Sequence, residues 1–206
     1  MKYERLGFLA SHRGTNMQSV INACRHGRLD AKPVVVISNN GDSGALERAE
    51  NEGIPAYHIS SRTFPDADNL DRAICDTLVR HRVDLVVLAG YMKRLGPRTL
   101  GRFRGRIVNI HPSLLPKYGG RGMYGDRIHE AVIAAGDAET GVTVHLVTEE
   151  YDAGQVLAQR KVPVRTGDTV RSLADRVLAV EHETYVETLA RILSGDIELP
   201  NPGIGD

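Results

Sequence analysis

Residues 6–10 form an unbroken run of apolar and small side chains. From residue 16 the period changes, and Met17, Val20, Ile21 and Cys24 recur at the i, i+3, i+4, i+7 spacing of one helical face. Gly27 follows where helices commonly end on a left-handed glycine. Further short apolar runs at 33–38, 56–59, 84–89 and 106–110 predict strands, and the stretches 45–51, 70–81 and 100–103 predict the helices between them. Strand and helix repeated in this order predict a parallel, twisted sheet with right-handed crossovers and helices on both faces.

Beyond residue 140 the pattern differs. Val142, Val144 and Leu146 alternate with Thr143, His145 and Val147, and a second run at 156–164 follows the turn Asp152-Ala153-Gly154. Two strands so close together predict a hairpin-like antiparallel extension of the sheet. Residues 169–193 read as one long helix, with Val170, Leu173, Ala174, Val177 and Leu178 on one stripe and Thr169 near the N-cap. The expected fold class is α/β, mostly parallel with an antiparallel C-terminal half. Neither repeats nor low-complexity segments divide residues 1–206, so one domain is expected, ending in a loose tail at 201–206.

Composition narrows the partners. A chain of 206 residues, 41% of them hydrophobic, can bury a sizeable core. Lys plus Arg and Asp plus Glu number 26 each, so no global field draws the protein to nucleic acid or an anionic membrane. Small-molecule partners are favoured. Cys24 and Cys75 lie in helical patterns without disulfide or zinc spacing, and no apolar stretch approaches the ~20 residues of a membrane span. A reduced, cytoplasmic protein is expected, with monomer and homodimer both open.

Three segments carry candidate chemistry. Ser11-His12-Arg13-Gly14-Thr15-Asn16 joins the first strand to the first helix, where backbone N–H groups and the helix dipole suit an anion. It has neither the glycine spacing of a dinucleotide fingerprint nor the lysine of a Walker loop, and an ordinary strand–helix turn is an equal reading. Asn109 and His111 share a face at the end of the fifth strand, and Pro112 takes the chain out of the sheet. A carboxamide and an imidazole aimed at one point could stabilise an oxyanion and move a proton, whereas a structural Asn–His pair would look the same. Asp152 is the carboxylate best placed to meet them, although most acidic turn residues are merely solvated. His145 reads first as a hydrogen-bonded strand residue. The histidines show no metal-cage spacing, so no metal is expected.

Taken in order, Asn109-Ile110-His111-Pro112-Ser113-Leu114-Leu115-Pro116-Lys117-Tyr118, Thr143-Val144-His145 and Tyr151-Asp152-Ala153-Gly154 resemble the folate-dependent formyltransferase family. The resemblance runs from the first strand to the last helix. It implies a Rossmann-like formyltransferase fold, 10-formyltetrahydrofolate as the formyl-donating cosubstrate, and direct transfer without metal or covalent enzyme intermediate. It implies Asn109, His111 and Asp152 as the catalytic set. The segment Leu88-Ala89-Gly90-Tyr91-Met92-Lys93-Arg94-Leu95 is similar to the family's pterin slot, which implies folate contacts from Leu88, Met92, Lys93 and Leu95, with His145 beside them. Ser11, Arg13, Gly14, Thr15 and Asn16 match the loop that holds an acceptor phosphate, and Glu181 matches the glutamate that holds ribose hydroxyls.

Family members that act on transfer RNA or hydrolyse the formyl-folate carry an additional domain, for which this length leaves no room. The implied acceptor is therefore glycinamide ribonucleotide, in de novo purine (IMP) biosynthesis, with water or an amino sugar as alternatives. His12, Arg13, Lys93 and Leu178 depart from the residues usual in the family. The glycine-rich segment 119–125 is expected beside the active site, either as a mobile loop or as a rigid, crossed-over turn.

Overall fold

The computed structural model describes residues 3–200, so the tail expected at 201–206 lies outside the described residues. Seven strands form one sheet in the order β3-β2-β1-β4-β5-β6-β7. β1 (Arg5–Ala10), β2 (Lys32–Ser38), β3 (Ala56–His58), β4 (Leu85–Leu88) and β5 (Ile107–His111) run parallel. β6 (Glu139–Leu146) and β7 (Val156–Pro163) continue the sheet antiparallel, as the two closely spaced runs predict. The chain builds outward from β1 through β2 to β3, then returns to the other side of β1 with β4. That reversal makes a topological switch between β1 and β4, the place where open α/β sheets leave a crevice.

Helices cover both faces. α1 (Thr15–Arg25), α2 (Gly44–Asn51) and the long α6 (Val170–Ser194) pack on one, α3 (Ala67–Arg80) and α4 (Pro97–Arg102) on the other, and α5 (Asp126–Ala134) lies against α6. Strand alternation divides the core accordingly. Leu85 and Val87 join Met17, Val20 and Tyr185, whereas Val86 and Leu88 join Ile74 and Leu78. Because both sides are covered, β4 is apolar and buried at every position rather than at every second one. Full burial of each such Leu or Val stabilises the fold by about 1.5–3 kcal/mol.

The ends of the elements follow local chemistry. The Thr169 hydroxyl accepts from the Ser172 N–H at 3.1 Å while the Ser172 hydroxyl accepts from the Thr169 N–H at 3.0 Å, a reciprocal cap that starts α6 where the sequence predicts. Gly27, with φ of 70°, follows α1 as expected. Several boundaries shift: α3 begins at Ala67 rather than 70 and α4 at Pro97 rather than 100, and two shifts bear on the hairpin junction. β6 begins at Glu139 rather than 142, because Thr140 and Gly141 continue the ladder to Val162 and Lys161. β5 extends to His111 rather than 110, because His111 pairs with Thr143 across the antiparallel junction.

Candidate active site

Beyond the ends of β4 and β5 a cavity of about 490 Å³ opens between residues 88–95, 109–112, 120–125 and 147–152, with Asn16, His145 and Glu181 also on its wall. That volume suits one or two small ligands. Val108 and Ile110 point into the core beneath α6, so Asn109 and His111 point the opposite way, into the cavity. β6 places His145 opposite Asn109.

The hydrogen bonds fix how these groups face the cavity. Nδ1 of His145 lies 2.8 Å from the Leu146 carbonyl, which can only accept, so Nδ1 carries the proton. Burial lowers the pKa of His145 and favours the neutral ring. Nε2 then offers a lone pair, and the Asn109 amide nitrogen donates to it at 3.1 Å. This sets the amide's orientation and leaves its second N–H for a ligand. His111 is held from another side: Nε2 donates to the Tyr118 carbonyl at 2.8 Å, and Nδ1 stands 3.6 Å from Asp152 Oδ2. The other Asp152 oxygen lies 3.6 Å from His145 Nε2, and Oδ2 accepts from the Gly120 N–H at 2.9 Å. The free Asn109 N–H, His111 Nδ1, which donates when the ring is charged, and a carboxylate therefore surround one end of the cavity. The donors can meet a developing oxyanion, and the carboxylate can receive a proton.

The expected folate residues Leu88, Met92, Lys93 and Leu95 all line the same cavity, Leu88 and Leu95 buried and Met92 and Lys93 exposed. Val147 and Leu100 complete an apolar wall. Tyr91 stands beside them, and burial pushes its hydroxyl up to about 12, which keeps it protonated and able to donate. An apolar slot with a few polar groups fits a flat heterocycle.

The expected acceptor residues divide. Asn16 and Glu181 meet at the cavity wall, where the Asn16 amide donates to Glu181 Oε1 at 3.3 Å. Burial pushes the Glu181 carboxyl up to about 8 against the opposing effect of that bond, and the Asn16 carbonyl oxygen is buried with no partner. Gly14 takes the left-handed conformation, φ 68°, that its loop position suggests. The close approach it permits is to α2, since a β-carbon there would stand 2.9 Å from Ala45 Cα. Arg13 is exposed, its carbonyl accepting from Arg48 Nε at 2.9 Å, and Thr15 opens α1 half-buried. Ser11 is 1% exposed, and its hydroxyl is committed within the protein, donating to Asn39 Oδ1 at 2.6 Å and accepting from the Met92 N–H at 2.7 Å. Its side chain ties loops together and does not face the cavity.

Two groups at the site have no signature in the sequence, the Tyr118 carbonyl and the Gly120 N–H, because a backbone atom's role is independent of its side chain. The glycine-rich segment forms the cavity's far wall, with positive φ at Gly120, Gly122 and Gly125. Among the described residues no cluster of three or more His, Cys, Asp or Glu side chains could hold a metal ion, and no helix is long and apolar enough to cross a membrane.

The formyl transferase family pattern matches residues 4–189. Phosphoribosylglycinamide formyltransferase of Haemophilus influenzae is 41% identical over 196 residues, which cover 95% of this chain and 90% of that protein. The chloroplastic phosphoribosylglycinamide formyltransferase of Vigna unguiculata is 38% identical over 209 residues, covering 99% of this chain, which spans only 65% of that protein's length. Among solved structures, glycinamide ribonucleotide transformylase 1 from Symbiobacterium toebii is similar with a TM-score of 0.89 at 39% identity, covering 95% of this chain and 91% of that one. With the family pattern spanning nearly all of β1 to α6, and Asn109, His111 and Asp152 gathered at one cavity, this chain belongs to the formyl transferase family.

Proposed function

We propose that this protein transfers the formyl group of 10-formyltetrahydrofolate to the primary amine of glycinamide ribonucleotide, a step of de novo purine biosynthesis. Residues 1–206 act as one catalytic domain in the cytoplasm. The observation that carries the reading is the convergence of Asn109, His111 and Asp152 on a cavity that has an apolar slot along 88–95 and a buried carboxyl, Glu181, on its wall.

In this reading the acceptor amine attacks the formyl carbon, and negative charge develops on the formyl oxygen. The second N–H of Asn109 and Nδ1–H of His111 donate to that oxygen, most strongly in the tetrahedral state. Donation from both ring nitrogens of His111 requires the imidazolium, whose charge faces Asp152 at 3.6 Å. The attacking nitrogen releases its proton through water to Asp152, and the folate nitrogen takes up a proton as its bond to the formyl carbon breaks. The carbonyl re-forms on the product amide, leaving tetrahydrofolate. Glu181 holds the ribose hydroxyls, and the N–H groups of the loop before α1 hold the phosphate.

The test is acceptor dependence. Tetrahydrofolate should appear only when glycinamide ribonucleotide is present with the formyl donor. Equal consumption with and without it would mean that water is the acceptor. Asp152→Asn should bind both ligands and turn over roughly two or more orders of magnitude slower, the scale of general acid–base groups.

A further inference from the structure

Tyr118 has φ of 57°, the left-handed region that bulky residues rarely occupy. Its carbonyl is the group that receives His111 Nε2. The conformation is held from the far end of the same residue. The Tyr118 hydroxyl donates to Asp137 Oδ2 at 2.8 Å, and the residue packs, half-buried, against the small apolar cluster that includes Val142 and Leu173. Asp137, between α5 and β6, also receives the Lys117 ammonium on both oxygens, at 2.7 and 2.6 Å, and that ammonium stands 5.1 Å from the Tyr118 ring centre. Lys117 holds the Asp137 carboxyl below its usual range, with Tyr118 adding to the effect, so the anchor is ionised at neutral pH.

The neighbouring backbone is bound as firmly. The Ser113 hydroxyl donates to the Lys117 carbonyl at 2.6 Å, and the Ser113 carbonyl accepts from Thr143 Oγ1 at 2.6 Å. Two residues beyond Tyr118, the Gly120 N–H holds Asp152 at 2.9 Å. One short turn thus presents a carbonyl to His111 and an N–H to Asp152. Asp137 does not line the cavity.

We infer that Asp137 is a positioning residue for the reaction: through the Tyr118 hydroxyl it holds the Tyr118 carbonyl under His111 Nε2, which fixes the proton on that nitrogen and turns Nδ1 toward Asp152 and the cavity. A carbonyl has no acidic proton to give, so the ring cannot flip, or leave Nε2 without its proton, without losing a buried hydrogen bond. The inference rests on the catalytic role proposed for His111.

The test uses Tyr118→Phe, Asp137→Ala and Asp137→Asn in the full chain. Nitrogen-15 NMR of the labelled histidines reads the His111 Nε2 proton and its hydrogen bond without any substrate, alongside steady-state turnover and thermal unfolding. Tyr118→Phe and Asp137→Ala should lose the uniform Nε2–H signature and lower kcat by roughly 5- to 20-fold, with either KM within about twofold, the pattern of a displaced catalytic group. The double variant should be no slower than the worse single one, because both act along one path. Asp137→Asn, which keeps an acceptor oxygen for the hydroxyl, should recover most of the turnover. Glu139→Gln breaks the neighbouring exposed ion pair with Lys161 and should leave both readouts as in the parent. If the His111 signals and turnover of Tyr118→Phe match the parent's while only the unfolding temperature falls, the cluster is a structural tie and the inference is overturned. Altered signals with unaltered turnover would uphold the clamp and overturn instead the catalytic reading of His111.

Discussion

The hydroxyl of Ser11 receives the backbone N–H of Met92 at 2.7 Å, joining the loop after β1 to the loop after β4 across the topological switch of the sheet. A second bond, from the Ser11 N–H to the Gly90 carbonyl at 3.0 Å, runs the other way. The proposed acceptor loop and the proposed folate slot therefore share one buried serine. Ser11→Ala would leave the Met92 N–H without its acceptor and Asn39 without its donor. At about 1 kcal/mol for the bond to Met92, the one of the two that holds the folate loop, the KM for the formyl donor should rise roughly 3- to 10-fold, with kcat retained. A Ser11→Ala enzyme with an unchanged donor KM would show that the 88–95 loop is held by other means.

The pH dependence of acceptor binding should follow Glu181. Burial raises its carboxyl to about 8, so the free protein is mostly protonated there at neutral pH. Two hydroxyl donors from a vicinal diol favour the carboxylate, so binding must release a proton below that value. Affinity for the formylated ribonucleotide, which has no titrating amine, should improve as pH rises from 6 through 8 and then level off. Calorimetry in buffers of different ionisation enthalpy would detect the released proton, and Glu181→Gln should abolish it. The same raised pKa makes a stability statement: the protonated native state is favoured, so this group's contribution is best below the ordinary value of 4.5 and declines as pH rises toward about 8. Binding with no pH dependence in that window would refute the assignment.

A stability prediction comes from Asp71. α4 has Gly96 at its N-cap and no side chain of its own to cap it. Asp71 on α3 substitutes, accepting from the Arg98 N–H at 2.7 Å and from the Thr99 N–H at 3.0 Å. Asp71→Ala should lower stability by about 1–3 kcal/mol, chiefly by stranding the buried Thr99 N–H, seen as an earlier urea midpoint with an unchanged slope. Asp71→Asn, which keeps one acceptor, should fall between. A midpoint for Asp71→Ala equal to the parent's would mean that water caps α4 adequately.

Much of this architecture was legible in the residue order, because the signals were local. Continuous apolar runs at β1, β2 and β4 marked strands covered on both faces, and Met17, Val20, Ile21 and Cys24 marked the buried side of α1. The stop at Gly27 and the cap at Thr169 depend on the conformational preferences of single residues. Strand alternation alone put Asn109 and His111 on one face, and Pro112 ended their strand. Tertiary structure decided what those side chains meet. Ser11 looks like part of an anion loop in sequence, yet its side chain is buried on Met92 and Asn39, because loops distant in the chain converge at the sheet's switch point. Gly14 has the positive φ its position suggests, but the contact that demands glycine is with Ala45 on α2. Neither the orientation of the Asn109 amide by His145 nor the hold of Asp137 on Tyr118 could be read from the sequence. Both depend on hydrogen bonds across pairs 36 and 19 residues apart, whose partners are chosen by strand register and packing rather than by local propensity.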